Sequence, residues 1–202
     1  MSSTTAAAWL LVLGWLPMLV RLPRTRTRSG ADRGPAPPTA LPPTVSIRDR
    51  SLWGATWVLG AALTACAAFD VQRATQPIRV VAGIVVFFVG MALWSWGRAV
   101  QGEQFAQTIR VPRALVTQGP YRVCRHPLYA STALGGAGQA LAAGTARAAA
   151  LWLALVVVLV ARAMREEQLL RDAFGPAWET YARHATGLLP PRRRSSSKEH
   201  EN

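Results

Sequence analysis

The fold of this 202-residue chain is decided by two stretches, LWGATWVLGAALTACAAF (residues 52–69) and VVAGIVVFFVGMALWSWG (residues 80–97). Neither stretch contains Asp, Glu, Lys or Arg, and each is close to the roughly 20 apolar residues that cross a bilayer as a helix. A helix in a soluble bundle would need a charged face, which both stretches lack. They are therefore predicted to be membrane-spanning helices.

Three further apolar blocks extend this pattern. They lie at residues 6–20, 127–146 and 148–161, and the last can be extended to Met164. The block at 127–146 is free of charged residues and rich in Gly and Ala, which lets another backbone or a ligand approach closely. We predict an all-α, polytopic membrane protein with about five transmembrane helices and a cytoplasmic, C-terminal helical pocket.

The positive charge of the chain follows the apolar blocks. Its net charge is +13, and 20 of its 23 Lys and Arg residues lie after the first, third and fifth blocks, against three in the other two gaps. This positive-inside distribution places the N-terminus outside and the C-terminus in the cytoplasm. Because topology accounts for the charge, nucleic-acid binding is not predicted. The predominance of arginine over lysine is typical of a GC-rich genome, which favours a bacterial plasma membrane.

The blocks and the composition between them divide the chain into five segments. A cleaved signal peptide is the alternative for the first segment, but its positive charge would precede the apolar run and not follow it. The Pro- and Arg-rich segment after it cannot bury enough apolar surface to fold alone. The predicted segments are a first span at 1–21, a basic cytoplasmic linker at 22–50, the second and third spans at 51–100, a region with the polar motifs at 101–190, and a disordered tail at 191–202.

A short connection brings two polar motifs to the same face of the membrane. Only TARAAA (residues 145–150) joins the fourth and fifth blocks, which predicts an antiparallel helical hairpin. The hairpin places PYRVCRHPLYAS (residues 120–131) beside REEQLLRDAFGPAWETY (residues 165–181). The fifth helix is predicted to continue into the cytoplasm, to break near Gly175 and Pro176, and to be followed by an amphipathic helix.

The two motifs together offer carboxylates, an imidazole, tyrosines and an arginine. Each has an ordinary explanation alone: Arg162 and Glu166 have the spacing of an i, i+4 ion pair, and Pro127 suits a first helical turn. Their convergence at one interface favours a functional site. A carboxylate and tyrosine faces attract an ammonium or sulfonium group, and arginine pairs with a carboxylate. No metal site or structural disulfide is predicted, because Cys66 and Cys124 form no metal-ligand pattern.

These motifs resemble those of the isoprenylcysteine carboxyl methyltransferase and phospholipid methyltransferase superfamily. The resemblance covers residues 101–190 and depends on LVTQGPYRVCRHPLY, REEQLLRDAFGPAWETY and GLLP at this spacing. It implies an integral-membrane methyltransferase that uses S-adenosylmethionine from the cytoplasmic side. A lipophilic acceptor would enter from the bilayer.

The resemblance also implies roles for individual residues. Arg162 and His126 match residues at the reaction centre, with Arg162 placed to orient an acceptor carboxylate. Arg113 stands where carboxyl methyltransferases carry histidine, and the spacing of Gln107 is off by one residue. The implied cofactor-binding residues are Gln107, Ala114, Leu115, Val116, Tyr121, His126, Pro127, Leu128, Tyr129, Glu166 and Glu167.

The resemblance leaves the methyl acceptor open. A carboxylate, as in isoprenylcysteine methylation, is favoured by Arg162 and needs no general base, whereas a phospholipid amine would have to lose a proton. Two other functions stay open: a sterol-reductase-like enzyme that uses NADPH, and a membrane subunit without catalytic activity. The oligomeric state is not readable from the sequence.

Overall fold

The computed structural model describes residues 3–15, 47–102, 105, 111–112 and 114–188. Gln107 and Arg113, as well as most of the basic linker and the whole polar tail, lie outside the described residues. A short 3₁₀ helix, Gly119–Arg122, precedes α4. The six α-helices of the described part are α1 (Ser3–Leu13), α2 (Ile47–Val71), α3 (Pro77–Gln101), α4 (Pro127–Ala143), α5 (Ala146–Phe174) and α6 (Pro176–His184).

The all-α prediction is confirmed for the described residues, and the chain is an integral membrane protein. Three helices are long and apolar enough to cross a membrane: α2 from Asp49, α3 and α5. The other two predicted spans correspond to shorter helices, α1 with 11 residues and α4 with 17. The total of five spans therefore stays a prediction.

Glycine allows α3 and α4 to pack backbone against backbone. A Cβ built on Gly83 would lie 2.6 Å from the carbonyl oxygen of Gly138, and one on Gly90 would lie 2.6 Å from the backbone nitrogen of Gly135. No larger residue fits at these positions without moving a helix. The small residues of the fourth block thus admit a neighbouring helix, one of the two uses that the sequence predicted.

The predicted hairpin is formed by α4 and α5. Gly144 ends α4 in the left-handed conformation, with φ of 63° and its N–H bonded to the carbonyl of Ala140. Thr145 then caps α5, since its hydroxyl accepts a hydrogen bond from the N–H of Ala148 at 3.4 Å. With only these two residues between them, the helices must run antiparallel, so the start of α4 and the end of α5 lie on one side of the molecule.

The break after the fifth helix also occurs where the sequence predicted it. The 29 residues of α5 extend about 44 Å, which exceeds the thickness of the hydrocarbon core. Gly175, with φ of 51°, ends α5, and Pro176 begins α6. Leu115, Leu170, Phe174 and Trp178 form a small separate core that holds α6 against the end of α5.

A polar cluster joins the opposite ends of the helices. Asp70, at the end of α2, is buried and is paired with Arg147 at the start of α5. Thr145 also donates a hydrogen bond to Asp70 at 2.7 Å. The cluster fixes α2 against the hairpin, so that α2 forms one wall of the space between α4 and α5.

Candidate active site

A cavity of about 470 Å³ lies at the end of the molecule where α4 begins and α5 ends. Small-molecule sites typically measure about 300–1,000 Å³. Its polar end is formed by residues of the two predicted motifs, and its apolar part follows α2 from Trp53 to Thr64. The eleven helical steps from Trp53 to Thr64 correspond to about 16 Å, roughly half of the hydrocarbon core. The cavity therefore joins a polar compartment to an apolar channel.

His126 lies between the two carboxylates of the second motif. It is only 4% exposed, with Nε2 3.1 Å from Glu167 Oε1 and Nδ1 3.6 Å from Glu166 Oε2. Burial lowers the pKa of His126, but the hydrogen bonds and negative charges of the two glutamates outweigh it and raise the pKa to about 9. His126 is therefore an imidazolium at neutral pH, and both of its ring nitrogens are donors.

Arg125 extends this ion-pair network. Its Nε lies 3.1 Å from Glu167 Oε1, and its Nη1 donates to the carbonyl oxygen of Ala182 at 3.0 Å. Glu167 therefore holds two cations of the first motif, whereas Glu166 contacts His126 and also lines the cavity. Of the two adjacent glutamates, Glu166 is thus placed to meet a ligand and Glu167 to position its neighbours.

Tyr129 and Arg162 form the wall opposite the 3₁₀ helix. The Tyr129 ring stacks on His126 with a centroid distance of 5.7 Å, and the Arg162 guanidinium lies 5.4 Å from the Tyr129 centroid. Arg162 is 5% exposed, and its Nη1 donates to the hydroxyl of Thr56 at 3.4 Å. The arginine is thereby held at the junction of the polar compartment and the channel along α2.

The C-terminal part of the described chain supports the first motif from outside. The Tyr181 hydroxyl donates to the carbonyl oxygen of Tyr121 at 2.8 Å. Thr186 forms backbone hydrogen bonds to both sides of Cys124: its N–H donates to Val123 O at 2.8 Å, and its carbonyl accepts from Arg125 N at 2.7 Å. These contacts fix the backbone from Tyr121 to Arg125, which carries the polar end of the cavity.

Several buried polar atoms of the cavity wall have no hydrogen-bond partner among the described residues. They belong to the indoles of Trp15 and Trp53, the side-chain carbonyl of Gln101 and the hydroxyl of Tyr121. Burial, with the Glu166 charge next, raises the pKa of Tyr121, so the hydroxyl keeps its proton. Buried polar groups in proteins are nearly always paired. Four polar atoms around one cavity, unpaired within the described part of the chain, favour a ligand with polar groups of its own.

The structure gathers about half of the predicted site residues on the cavity. Tyr121, His126, Leu128, Tyr129, Arg162 and Glu166 line it. Ala114 and Leu115 are buried away from it, and Leu115 belongs to the small core under α6. Of the described residues, Val116, Pro127 and Glu167 are also not part of the lining. Gln107 lies outside the described residues, so its predicted role stays a prediction.

The sequence did not single out Arg125 or the residues of α2. Two adjacent basic residues, Arg125 and His126, lie in the first motif, and their partners, Glu166 and Glu167, are adjacent in the second motif. These adjacent pairs of opposite charge are a signal that the sequence contains. Trp53, Thr56, Trp57 and Thr64 are polar or polar-tipped residues of a mainly apolar span, and their spacings place them on one helical face. Such residues in a span are candidates for the lining of a site.

Comparison with known families agrees with this geometry. Residues 78–177 match the family described as phospholipid methyltransferase. The matched region includes α3, the 3₁₀ helix, the α4–α5 hairpin and the first two residues of α6. Residues 78–177 belong to the phospholipid methyltransferase superfamily. The resemblance found in the two motifs is therefore confirmed, while α1 and all of α2 lie before the matched region.

Individual relatives extend the similarity. The chain is 39% identical over 82 residues to the cobalt-zinc-cadmium resistance protein CzcN of Cupriavidus metallidurans, covering 40% of this chain and 38% of the relative. It is 30% identical over 145 residues to the nickel-cobalt-cadmium resistance protein NccN of Alcaligenes xylosoxydans xylosoxydans, covering 71% of this chain and 57% of the relative.

A plant protein is also similar to the chain. The chain is 29% identical over 113 residues to a probable protein-S-isoprenylcysteine O-methyltransferase of Oryza sativa, and the aligned region covers 54% of this chain and 59% of the relative. The chain thus spans between about two fifths and three fifths of the curated relatives that it matches.

Proposed function

We propose that the protein is a membrane methyltransferase that transfers a methyl group from S-adenosylmethionine to the carboxylate of a lipophilic acceptor. The observation that carries this proposal is the continuity of the cavity, which joins a polar compartment at Glu166, His126 and Tyr121 to an apolar channel along α2. A water-soluble donor and a lipid-soluble acceptor need such a meeting point. The family match and the plant relative support the same chemistry.

The residues present fit S-adenosylmethionine. Glu166 supplies a carboxylate for an ammonium or sulfonium group, and the faces of Tyr121 and Tyr129 suit the same positive charge. The unpaired Gln101 carbonyl and Tyr121 hydroxyl are free to bond the polar groups of the molecule. When bound, S-adenosylmethionine supplies an electrophilic methyl group. His126 and Glu167 hold Glu166 and Arg125 in place, and burial of the compartment excludes water.

Arg162 favours a carboxylate acceptor. It lies at the junction of the two parts of the cavity, where the head of an acceptor inserted along α2 would lie. A guanidinium attracts an anionic head and repels an ammonium group, and a carboxylate needs no general base to become a nucleophile. A phosphate-bearing lipid methylated on nitrogen is the alternative within the same superfamily.

The chemistry of the product tests this choice. Membranes that contain the protein would be incubated with methyl-tritiated S-adenosylmethionine and a bacterial lipid extract. A carboxylate acceptor gives a methyl ester, so mild alkali should release the label as volatile methanol, whereas N-methyl label would stay non-volatile on the head group. Arg162→Gln should lower the release of methanol at least tenfold, and Arg171→Gln, on the exposed side of α5, should not. Label that stays non-volatile after alkali would contradict the carboxylate assignment.

The names of the two bacterial relatives favour a second candidate function, a contribution to heavy-metal tolerance. This role is compatible with methyl transfer, because modified membrane lipids change the surface that a metal ion meets. Growth in cadmium of a strain that expresses the wild type or Glu166→Gln tests the connection. Equal tolerance in the two strains would mean that cadmium tolerance does not depend on methyl transfer by this protein.

A further inference from the structure

The apolar channel along α2 has polar side-chain groups at its inner end. Trp15, which follows α1, and Thr64 of α2 both line the cavity there. The Trp15 ring packs against Phe87 with a centroid distance of 5.8 Å, and Phe87 contacts the α4 backbone at Gly138. Thr64 is bonded to Gln139, the next residue of α4. Trp15 and Thr64 therefore lie at the same depth, within one turn of α4.

The indole N–H of Trp15 is buried there without a partner. Its Nε1 has no hydrogen-bond acceptor in the described part of the chain. Leaving a buried donor unpaired costs more than a made hydrogen bond contributes. An acceptor on a molecule in the channel would pair with this donor.

The neighbouring hydroxyl belongs to a polar network at the same depth. Thr64 accepts a hydrogen bond from Gln139 Nε2 at 3.0 Å, and its own hydrogen has two acceptors within reach, Gly60 O at 2.9 Å and Gln139 Oε1 at 3.4 Å. Gln139 is completely buried in α4. The fully buried Gln139 amide holds Thr64 at the channel wall and makes the wall polar at this depth. A plain hydrocarbon chain would need only apolar residues there.

We propose that the acceptor is not a plain hydrocarbon chain but carries a hydrogen-bond-accepting oxygen, such as a carbonyl, in its lipophilic part, and that this oxygen binds Trp15 beside Thr64. This inference rests on the proposed function, since it treats the channel as the acceptor site. The anionic head lies at Arg162, next to Thr56, and the oxygen lies near Thr64. Eight residues of α2 separate the two threonines, so the two polar groups of the acceptor are about 12 Å apart.

A series of fatty acids tests the inference by binding alone. Dodecanoic acid and oxododecanoic acids with the carbonyl at successive carbons would be titrated into the detergent-purified protein, with native mass spectrometry counting the bound molecules. The oxo acid whose carbonyl lies about 12 Å from the carboxylate should bind roughly threefold to tenfold tighter than dodecanoic acid, the contribution of one buried hydrogen bond.

Matched variants assign the effect to the inner end of the channel. Trp15→Phe should abolish the advantage of the oxo acid and leave the affinity for dodecanoic acid within about twofold. Trp57→Phe, which alters another indole of the same wall, should keep the advantage. If Trp15→Phe does not fold, Thr64→Val keeps the shape of the side chain and should reduce the advantage.

Two results would overturn the inference: equal binding of all the fatty acids, or an advantage that persists in Trp15→Phe. S-adenosylmethionine would be titrated into the same samples. Failure of the wild type to bind it would contradict the proposed function, whatever the fatty acids do. Binding of S-adenosylmethionine without a carbonyl advantage would contradict this inference alone.

Discussion

At the scale of single residues, the site depends on an ion-pair network that crosses from one motif to the other. His126 and Arg125 come from the segment before α4, and Glu166 and Glu167 come from the end of α5. The network is buried at its centre, since His126 is 4% exposed. Each charge is therefore expensive to remove alone, because its partner would stay buried and unpaired.

The charge of His126 predicts a pH dependence. Its pKa in the folded protein, about 9, lies above the ordinary value of 6.5. Its contribution to stability is therefore complete below about pH 6.5 and is lost as the pH rises through about 9, with a total on the order of 3 kcal/mol. The melting temperature of the purified protein should fall between about pH 6.5 and pH 9 by more in the wild type than in His126→Asn.

A thiol near the histidine provides the control for this titration. Cys124→Ser removes the neighbouring thiol, and this variant should show the same fall as the wild type. Parallel curves for the wild type and His126→Asn would mean that the histidine is not held as an imidazolium.

At the scale of helices, the contact between α3 and α4 determines where the polar motif lies. The two helices meet through Gly83 and Gly90 on one side and Gly135 and Gly138 on the other. The close approach fixes the height of α4, and hence of His126 just before it. The sequence predicted that something would approach these glycines but not which helix, because a small residue is equally suited to a backbone and to a ligand.

Enlarging one glycine of this contact should destabilise the protein. In Gly90→Ala the new Cβ would lie 2.6 Å from the backbone nitrogen of Gly135, which no side-chain movement relieves. We expect a loss of about 1–3 kcal/mol in the free energy of unfolding, or more, measured by denaturation in detergent. Gly54→Ala is the matched control, because nothing lies within 4 Å of its new methyl group. A similar loss in both variants would contradict the packing described for α3 and α4.

The sequence predicted the hairpin and the break at Gly175 but not the contribution of α2 to the cavity. The hairpin follows from a connection too short for any other geometry, and the break follows from a Gly–Pro pair. Trp53 and Thr56 are different, because their shared helical face marks a possible lining but does not identify the helix that this face contacts. Only the packed structure shows that these residues turn toward Arg162.

At the scale of the whole molecule, the charge distribution predicts the orientation in the membrane. Twenty of the 23 Lys and Arg residues follow the first, third and fifth apolar blocks in the sequence, and His126 and Glu166 lie in two of the same gaps. The side that carries His126 and Glu166 should therefore face the cytoplasm. The structure has three helices that are long and apolar enough to span a membrane. The total of five spans and this orientation therefore stay predictions.

Tags at the two ends test this orientation. In intact bacterial spheroplasts, a protease added outside should remove an epitope placed before Met1 and leave an epitope after Asn202 protected. Disruption of the membrane should expose both epitopes, which serves as the control. Cleavage of the C-terminal epitope in intact spheroplasts would place the polar compartment outside, away from cytoplasmic S-adenosylmethionine.

We propose that the polar compartment of the molecule binds S-adenosylmethionine through Glu166. Calorimetric titration of the detergent-purified protein tests it most directly, with NADPH as the comparison ligand and Glu179→Gln on the exposed side of α6 as the matched control. We predict that the wild type and Glu179→Gln bind S-adenosylmethionine and not NADPH, and that Glu166→Gln binds at least tenfold more weakly, as expected for loss of a charged contact. Absence of binding in the wild type, or equal binding in Glu166→Gln, would contradict the account.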